Sequence, residues 1–225
     1  FEGKQRKIRF LDPDIGAIDI KDPFPLHISA FGPKGRGLTA KLGAGWINGT
    51  ANVDHGKAGI AGMHAAWREA GRDPATLHAT ATISGCVLNE GEACDSPRVK
   101  AQTGPHATIA LHSLAEREQF GDIARPVPPQ LAALVERYRQ IYLKYEPADA
   151  RYLSNHRGHM MYLRPEEHEV CTPELIRAVT WTAPKAELRE RLRDLIGAGY
   201  THIALNSGYR HPERLEEWAE VFESV

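Results

Sequence analysis

The segment Gly32-Pro33-Lys34-Gly35-Arg36-Gly37 places three glycines, a proline and two cations within six residues. Before it runs Leu26-His27-Ile28-Ser29-Ala30-Phe31, which reads as a buried strand over 26–31, and after it comes the first turn of a helix. A strand that ends in a glycine-rich turn and opens a helix suits phosphate. N–H groups at the helix N-terminus point at the anion, and the helix dipole favours negative charge there. Glycines let the backbone approach closely. The spacing is not GxGxxG, and it lacks the GK[ST] ending of a P-loop. From the residues alone two readings stand: a turn that holds the phosphate of a cofactor or substrate, or a tight connection whose two cations are solvated.

The densest polar cluster is Ser154-Asn155-His156-Arg157-Gly158-His159. His156 or His159 could give a proton or hydrogen bond to a substrate, and Arg157 could meet an anionic group. Two histidines three apart can share a helix face and bind metal, but only Glu166, Glu167 and His168 stand near in sequence, so no metal is assigned. The competing reading is a solvated turn. Trp46 and Asn48 close a second strand, where Asn48 could bond a cofactor and Trp46 reads as a core aromatic. Asn206, Ser207 and Arg210 follow the last strand, as a second phosphate turn or an ordinary one. Asp54 and His55 are adjacent, and neighbours point apart too readily to make an acid–base pair. Cys86 reads as a small buried hydrophobe.

These residues need elements to hold them. The pattern predicts a helix over 34–43 with Leu38 and Leu42 facing the core, a strand over 44–48, and a small-residue loop over 49–56. It then predicts a helix over 57–71 on Ile60, Met63, His64 and Trp67, and a β-branched strand over 78–88. Residues 90–178 carry mostly helical patterns, including an apolar stripe over 129–145. A helix over 183–196, a strand over 200–206 and a helix over 212–222 complete the series. Residues 1–23 read as a hairpin or loop, with extended stretches at 7–11 and 17–20. Strands alternating with helices imply a parallel α/β sheet.

Composition narrows the function classes. Among 225 residues, 28 basic side chains against 29 acidic ones give a net charge of −1, so no basic excess drives nucleic-acid binding. No apolar run has the length of a membrane span, and no signal peptide is evident. Three cysteines without a CxxC pair fit a reducing cytoplasm.

Three stretches together carry a resemblance: Pro25 to Ile47, the strand at 78–88 with its long helical insertion, and Leu192 to Leu205. In them the chain resembles the C-terminal part of the bacterial luciferase-like flavin or deazaflavin oxidoreductases. The resemblance implies a TIM-type (β/α)8 barrel. This chain, starting at Phe1, would supply strands five to eight as one α/β domain over 1–225, with a helical insertion at about 90–178. It implies that FMN or coenzyme F-420, a deazaflavin, places its phosphate at the turn after the first strand. The matching positions are Ala30, Phe31, Gly32, Pro33, Lys34, Gly35 and Arg36, with backbone N–H groups of Lys34, Gly35 and Arg36 as the cradle. It further implies hydride transfer to, or oxygen insertion into, a small organic substrate, and in the FMN branch a partner flavin reductase. By the same resemblance the first four strands, and with them many residues around the reactive ring including catalytic acids and bases, are expected outside this sequence. A half-barrel exposes two strand edges, so self-association is expected. A non-catalytic flavin-binding barrel and another barrel enzyme acting on a phosphorylated substrate are the alternatives.

Overall fold

The computed structural model describes residue 9 and residues 13–15, 24–116, 127–208 and 210–225. Apart from residue 9, the extended stretches predicted at 7–11 and 17–20 lie outside these. Pro13–Ile15 form a 3-10 turn.

Four parallel strands make the central sheet: β1 (His27–Ser29), β2 (Gly45–Gly49), β3 (Ala79–Ile83) and β6 (His202–Leu205), in that spatial order. The register pairs Ile28 with Trp46, Trp46 with Ala79, and Ala81 with Ile203. Two short strands, β4 (Val87–Leu88) and β5 (Ala183–Pro184), pair in parallel as a separate ladder. The strand predicted over 78–88 therefore breaks after Ile83. At Gly85 a Cβ would lie 2.0 Å from the Trp181 carbonyl oxygen, so the chain passes another backbone too closely to continue the sheet.

Helices α1 (Pro33–Leu42), α2 (Val53–Glu69), α8 (Lys185–Ala198) and α9 (Glu213–Phe222) cover one face of the sheet. Alternation along each strand sends Trp46, Ala79, Ala81 and Ile83 into that layer, against Ile60, Met63, Trp67, Leu188, Leu192, Leu195 and Trp218. The opposite face carries His27, Ser29, Thr80, Thr82, His202 and Ala204, exposed or half-buried. Among the described residues the sheet does not close: β1 and β6 are its two edges.

Helix α2 starts earlier than predicted because the Asn52 side chain caps it, accepting the His55 N–H at 2.9 Å. Helix α1 ends at Gly43 in the left-handed conformation, φ 64°, which spares a side chain strain. The expected inward face of α1 is corrected: Leu38 and Leu42 are 52% and 54% exposed, while Thr39 and Ala40 are buried. The four-residue repeat of leucines marks a stripe, but the buried side of the helix is the one that carries Thr39 and Ala40.

Between β4 and β5 the chain builds a second core from α3 (Pro97–Ala107), α4 (Ile109–Ala115), α5 (Ala132–Tyr142) and α7 (Pro173–Val179), with the short α6 (Arg151–Asn155) tied to it through the buried Asn155. Leu131, Leu134, Val135, Tyr138 and Tyr142 of the predicted stripe enter it with Val99, Leu111 and Leu175. The helical insertion thus has its own apolar interior and sits over the C-terminal ends of the strands.

Candidate functional site at the C-terminal rim of the sheet

Strand ends place the glycine turn, Gly49-Thr50, Ser84-Gly85 and Asn206-Ser207 on one rim of the parallel sheet, the side where α/β proteins place their ligand sites. At the turn, Gly32 is the N-cap of α1 with no side-chain cap, and Pro33 occupies the first helical position. Pro33 has no N–H to lose, and its ring sets the first helical φ. The N–H groups of Lys34 and Gly35 fall among those that a helix leaves unpaired at its start. The N–H of Arg36, expected in the same cradle, instead donates to the Gly32 carbonyl at 3.0 Å. The Arg36 guanidinium donates to the Phe31 carbonyl at 2.7 Å and lies against α2 at Gly62. Lys34 is exposed, the first turn holds no acidic side chain, and a Cβ at Gly32 would meet nothing within 4 Å. This arrangement has room and polarity for an anion.

Ala30 is fixed from behind. Its carbonyl accepts the Trp46 indole N–H at 2.8 Å, and its Cβ would lie 3.0 Å from a Cβ added at Gly35. Phe31 is exposed beside Gly49. Asn48, expected to meet a cofactor, faces the other way. It is 3% exposed, its amide donates to the Tyr200 hydroxyl at 2.8 Å, and that hydroxyl donates to the Gly56 carbonyl at 3.0 Å. Trp46 and Asn48 are two apart in β2, so both enter the helix-covered layer.

A cleft of about 500 Å³ opens on the same rim, without the glycine turn in its walls. Its walls include Gly49 and Thr50 of β2 and its exit, Thr82 of β3, Asn206 after β6, and His106 and Ser113 of the insertion. His106 was not singled out in the sequence. It lies well beyond the end of β3 at Ile83, inside the helical insertion, and only the fold brings it to the rim. Burial, then the charges of Arg214 and His159, push its pKa below the ordinary 6.5, so it is neutral near pH 7 and offers one donor and one acceptor nitrogen. His55 also lines the cleft, and Asp54 beside it is exposed.

Under the rim lies Arg214, 0% exposed. It donates to the carbonyls of Gly85 at 2.7 Å, Gln102 at 3.0 Å and Asn206 at 3.2 Å, and also to that of Ser207. The guanidinium fork thereby ties the ends of β3 and β6 to α3. The Asn206 turn serves the fold as well: the Asn206 side chain accepts the Gly208 N–H at 3.1 Å, and the Asn206 N–H donates to Ile83.

The expected cluster of His156 and His159 does gather, but around a third histidine. His112 of α4 brings its Nδ1 to 3.3 Å from that of His159, and His156 brings its own to 3.1 Å. Arg157 is exposed and takes no part. Met160 and Met161, next in the chain, reach a small crevice with Ser84 and Asn206, while the histidine rings turn back into the insertion. His112 lies 44 residues before His156, which hid it from a search by spacing. All three cysteines are free and buried, and burial pushes the thiols of Cys86 and Cys171 up to about 12, which removes them as nucleophiles near neutral pH.

The sequence profile of luciferase-like monooxygenases matches residues 1–202. The chain belongs to the luciferase-like monooxygenase family. Solved structures similar to this family member include a coenzyme F420 dependent tetrahydromethanopterin reductase from Methanopyrus kandleri, at 15% identity and TM-score 0.56, with 89% of this chain and 50% of that one covered. Two others are an F420-dependent secondary alcohol dehydrogenase in complex with an F420–acetone adduct (18%, TM-score 0.42, 82% and 43% covered) and a long-chain alkane monooxygenase (14%, TM-score 0.45, 91% and 42% covered). The chain spans about half the length of the reductase, and less of the other two. No curated protein matches it. Among the described residues no helix is long and apolar enough to cross a membrane.

Proposed function

We propose that this luciferase-like chain is the C-terminal half of a barrel oxidoreductase and holds the phosphate of a flavin or deazaflavin at the N-terminus of α1. The observation that carries the reading is the uncapped, glycine-rich start of α1, with the Lys34 and Gly35 N–H groups and the Lys34 side chain on the same rim as the cleft. Ala30, Phe31, Gly32 and Pro33 shape that turn, and Arg36 braces it through the Phe31 carbonyl. Asn48, buried and bonded to Tyr200, is left out of this proposal. When bound, the cofactor would supply hydride transfer or oxygen insertion for a small organic substrate. In the chain itself, His106 is the group placed to hold or pass a proton at the cleft. A reductase partner belongs to the flavin form of this proposal alone.

Fluorescence titration with FMN and with the deazaflavin coenzyme tests it. One of the two binds the wild-type chain, and Lys34→Glu weakens that binding by about tenfold or more through the reversed charge. Binding that Lys34→Glu leaves unchanged, or no binding of either cofactor, overturns the assignment of the phosphate to this turn.

A further inference from the structure

We propose that His112, His156 and His159 form a three-histidine binding site for a divalent cation of the zinc class, with a solvent molecule in the fourth position. The site is independent of the cofactor turn. It is built wholly within the helical insertion, from α4, the residue that follows α6, and the turn after it.

Convergence is the first argument. One nitrogen from each of the three rings lies within 4.8 Å of the others, and the two Nδ1–Nδ1 distances to His159 are 3.1 and 3.3 Å. Zinc–imidazole bonds of about 2.0–2.1 Å in a tetrahedron put neighbouring ligand nitrogens about 3.3 Å apart. The two edges that meet at His159 already have that length, and the third lies within 4.8 Å.

Proton counting is the second. His112 Nε2 lies 2.6 Å from Glu167 Oε1. Both Glu167 oxygens also receive donors from Arg164, the backbone N–H at 2.9 Å and the guanidinium at 2.6 Å. His156 Nε2 lies 3.0 Å from Glu116 Oε1, which also accepts the Asn155 amide at 2.6 Å. Each carboxylate accepts, so each Nε2 carries the hydrogen, and the Nδ1 atoms of His112 and His156 present bare lone pairs. Both lone pairs face His159 Nδ1, which has at most one hydrogen to give. One lone pair is left against another nitrogen. His112 is 2% exposed and the His156 side chain 43%, so solvent reaches the cluster only on the His156 side. A cation on the three lone pairs satisfies all of them at once.

The surroundings are the third. A ligating histidine typically gives its other N–H to a carboxylate, which fixes the ring and raises its basicity. Two of the three histidines have that backing here. The carboxylates are themselves held: Asn155 is fixed by the Tyr138 hydroxyl at 2.6 Å, and Arg164 donates to that same hydroxyl at 2.8 Å. Glu116 and Glu167 against Arg164 leave a net charge of −1 beside the three rings, which favours a cation. The His156 side chain is 43% exposed, so solvent reaches the side of the cluster it forms. All-imidazole ligation favours zinc, copper, nickel or cobalt over magnesium or calcium.

The test uses the untagged full chain, stripped with a chelator and titrated with Co²⁺. The expected result is one equivalent bound, with the visible absorption of tetrahedral cobalt, displaced by Zn²⁺, and a thermal midpoint that rises with Zn²⁺. His159→Ala replaces a half-buried turn residue and should abolish the tetrahedral spectrum. Glu116→Gln keeps the ligands and loosens one orienting bond, so affinity should fall by about 10–100-fold. His78→Ala serves as the control, because His27, His78 and His202 gather on the open sheet face, with ring centroids 6.5 and 5.7 Å apart. No tetrahedral uptake by the wild type overturns the proposal. So does uptake that survives His159→Ala, or that is lost in His78→Ala instead.

Discussion

The Trp46 indole N–H donates to the Ala30 carbonyl across 2.8 Å, and this one bond joins the centre of the sheet to the turn at the head of α1. Trp46 is wholly buried and stacks on Tyr200, with ring centroids 6.0 Å apart. Trp46→Phe keeps an aromatic ring but leaves the buried carbonyl short of a partner. We expect a loss of about 1–3 kcal/mol in urea unfolding, most of it from that carbonyl and the smaller ring. Cofactor affinity should fall with it, because Ala30 sets the start of the turn.

Gly32→Asp separates stability from binding. The backbone at Gly32, φ −96° and ψ 166°, suits any residue, and an added Cβ meets open space. An aspartate there should cap the unpaired N–H groups and raise stability by up to about 0.5 kcal/mol. The same carboxylate would occupy the place of an incoming phosphate. A higher thermal midpoint with weaker FMN or deazaflavin binding is the expected pair of results. A variant that binds as well as the wild type would place the phosphate elsewhere.

Arg214→Met should be among the most damaging single changes. The methionine fills part of the volume but removes the charged donor from the carbonyls of Gly85, Gln102, Asn206 and Ser207 at a buried site, where Gly85 keeps only the longer Trp218 indole N–H at 3.3 Å. A loss of about 3 kcal/mol or more is expected in chemical denaturation. A loss below about 1 kcal/mol would mean that water replaces the guanidinium.

Glu92 makes stability depend on pH. Its hydrogen bond to Arg98 leads the causes that hold its carboxyl at about 2 against an ordinary 4.5, with backbone and Ser96 hydrogen bonds adding to it and burial opposing. The carboxylate is favoured in the folded state, so its contribution is full above about pH 4.5 and is lost as pH falls toward 2. The contribution is on the order of 2–3 kcal/mol for this largely buried group. Unfolding free energy measured from pH 6 down to 3 should fall less steeply in Glu92→Gln than in the wild type.

Self-association is the fifth expectation. Phe24, Leu26, Phe31, Leu38 and Leu42 are exposed along β1, its flanks and α1, next to an unpaired sheet edge. Sedimentation velocity over a range of concentrations should show a rising average mass. Leu26→Lys with Leu42→Lys should reduce it. A concentration-independent monomer would count against the half-barrel reading.

The sequence made the parallel α/β order legible because each strand and helix of the sheet domain carries its own local pattern, as in Ala79–Ile83 and Lys185–Ala198. It also made the glycine turn legible, since a helix N-terminus is a local object. Facing was less legible. Leu38 and Leu42 look inward by spacing, and Asn48 looks like a strand-end ligand, but which way each points depends on packing partners far along the chain. The histidine cluster was half legible: His156 and His159 were visible, and His112 and Glu116 were not, because α4 and its C-terminal cap, far earlier in the chain, supply them. His106 was invisible for the same reason.

The pairing of β3 with β6 sets the order of assembly. Ala79 and Thr201, which bond at the foot of that pair, are separated by 122 residues. At synthesis rates of about 5–20 residues per second, roughly 6–25 seconds pass between the two strands leaving the ribosome. For that interval β3 is an edge rather than the interior of a sheet, and it needs shelter from other nascent chains. The insertion, with its own apolar interior, is made during that wait and can condense first, so it is the first cover available to the unfinished rim.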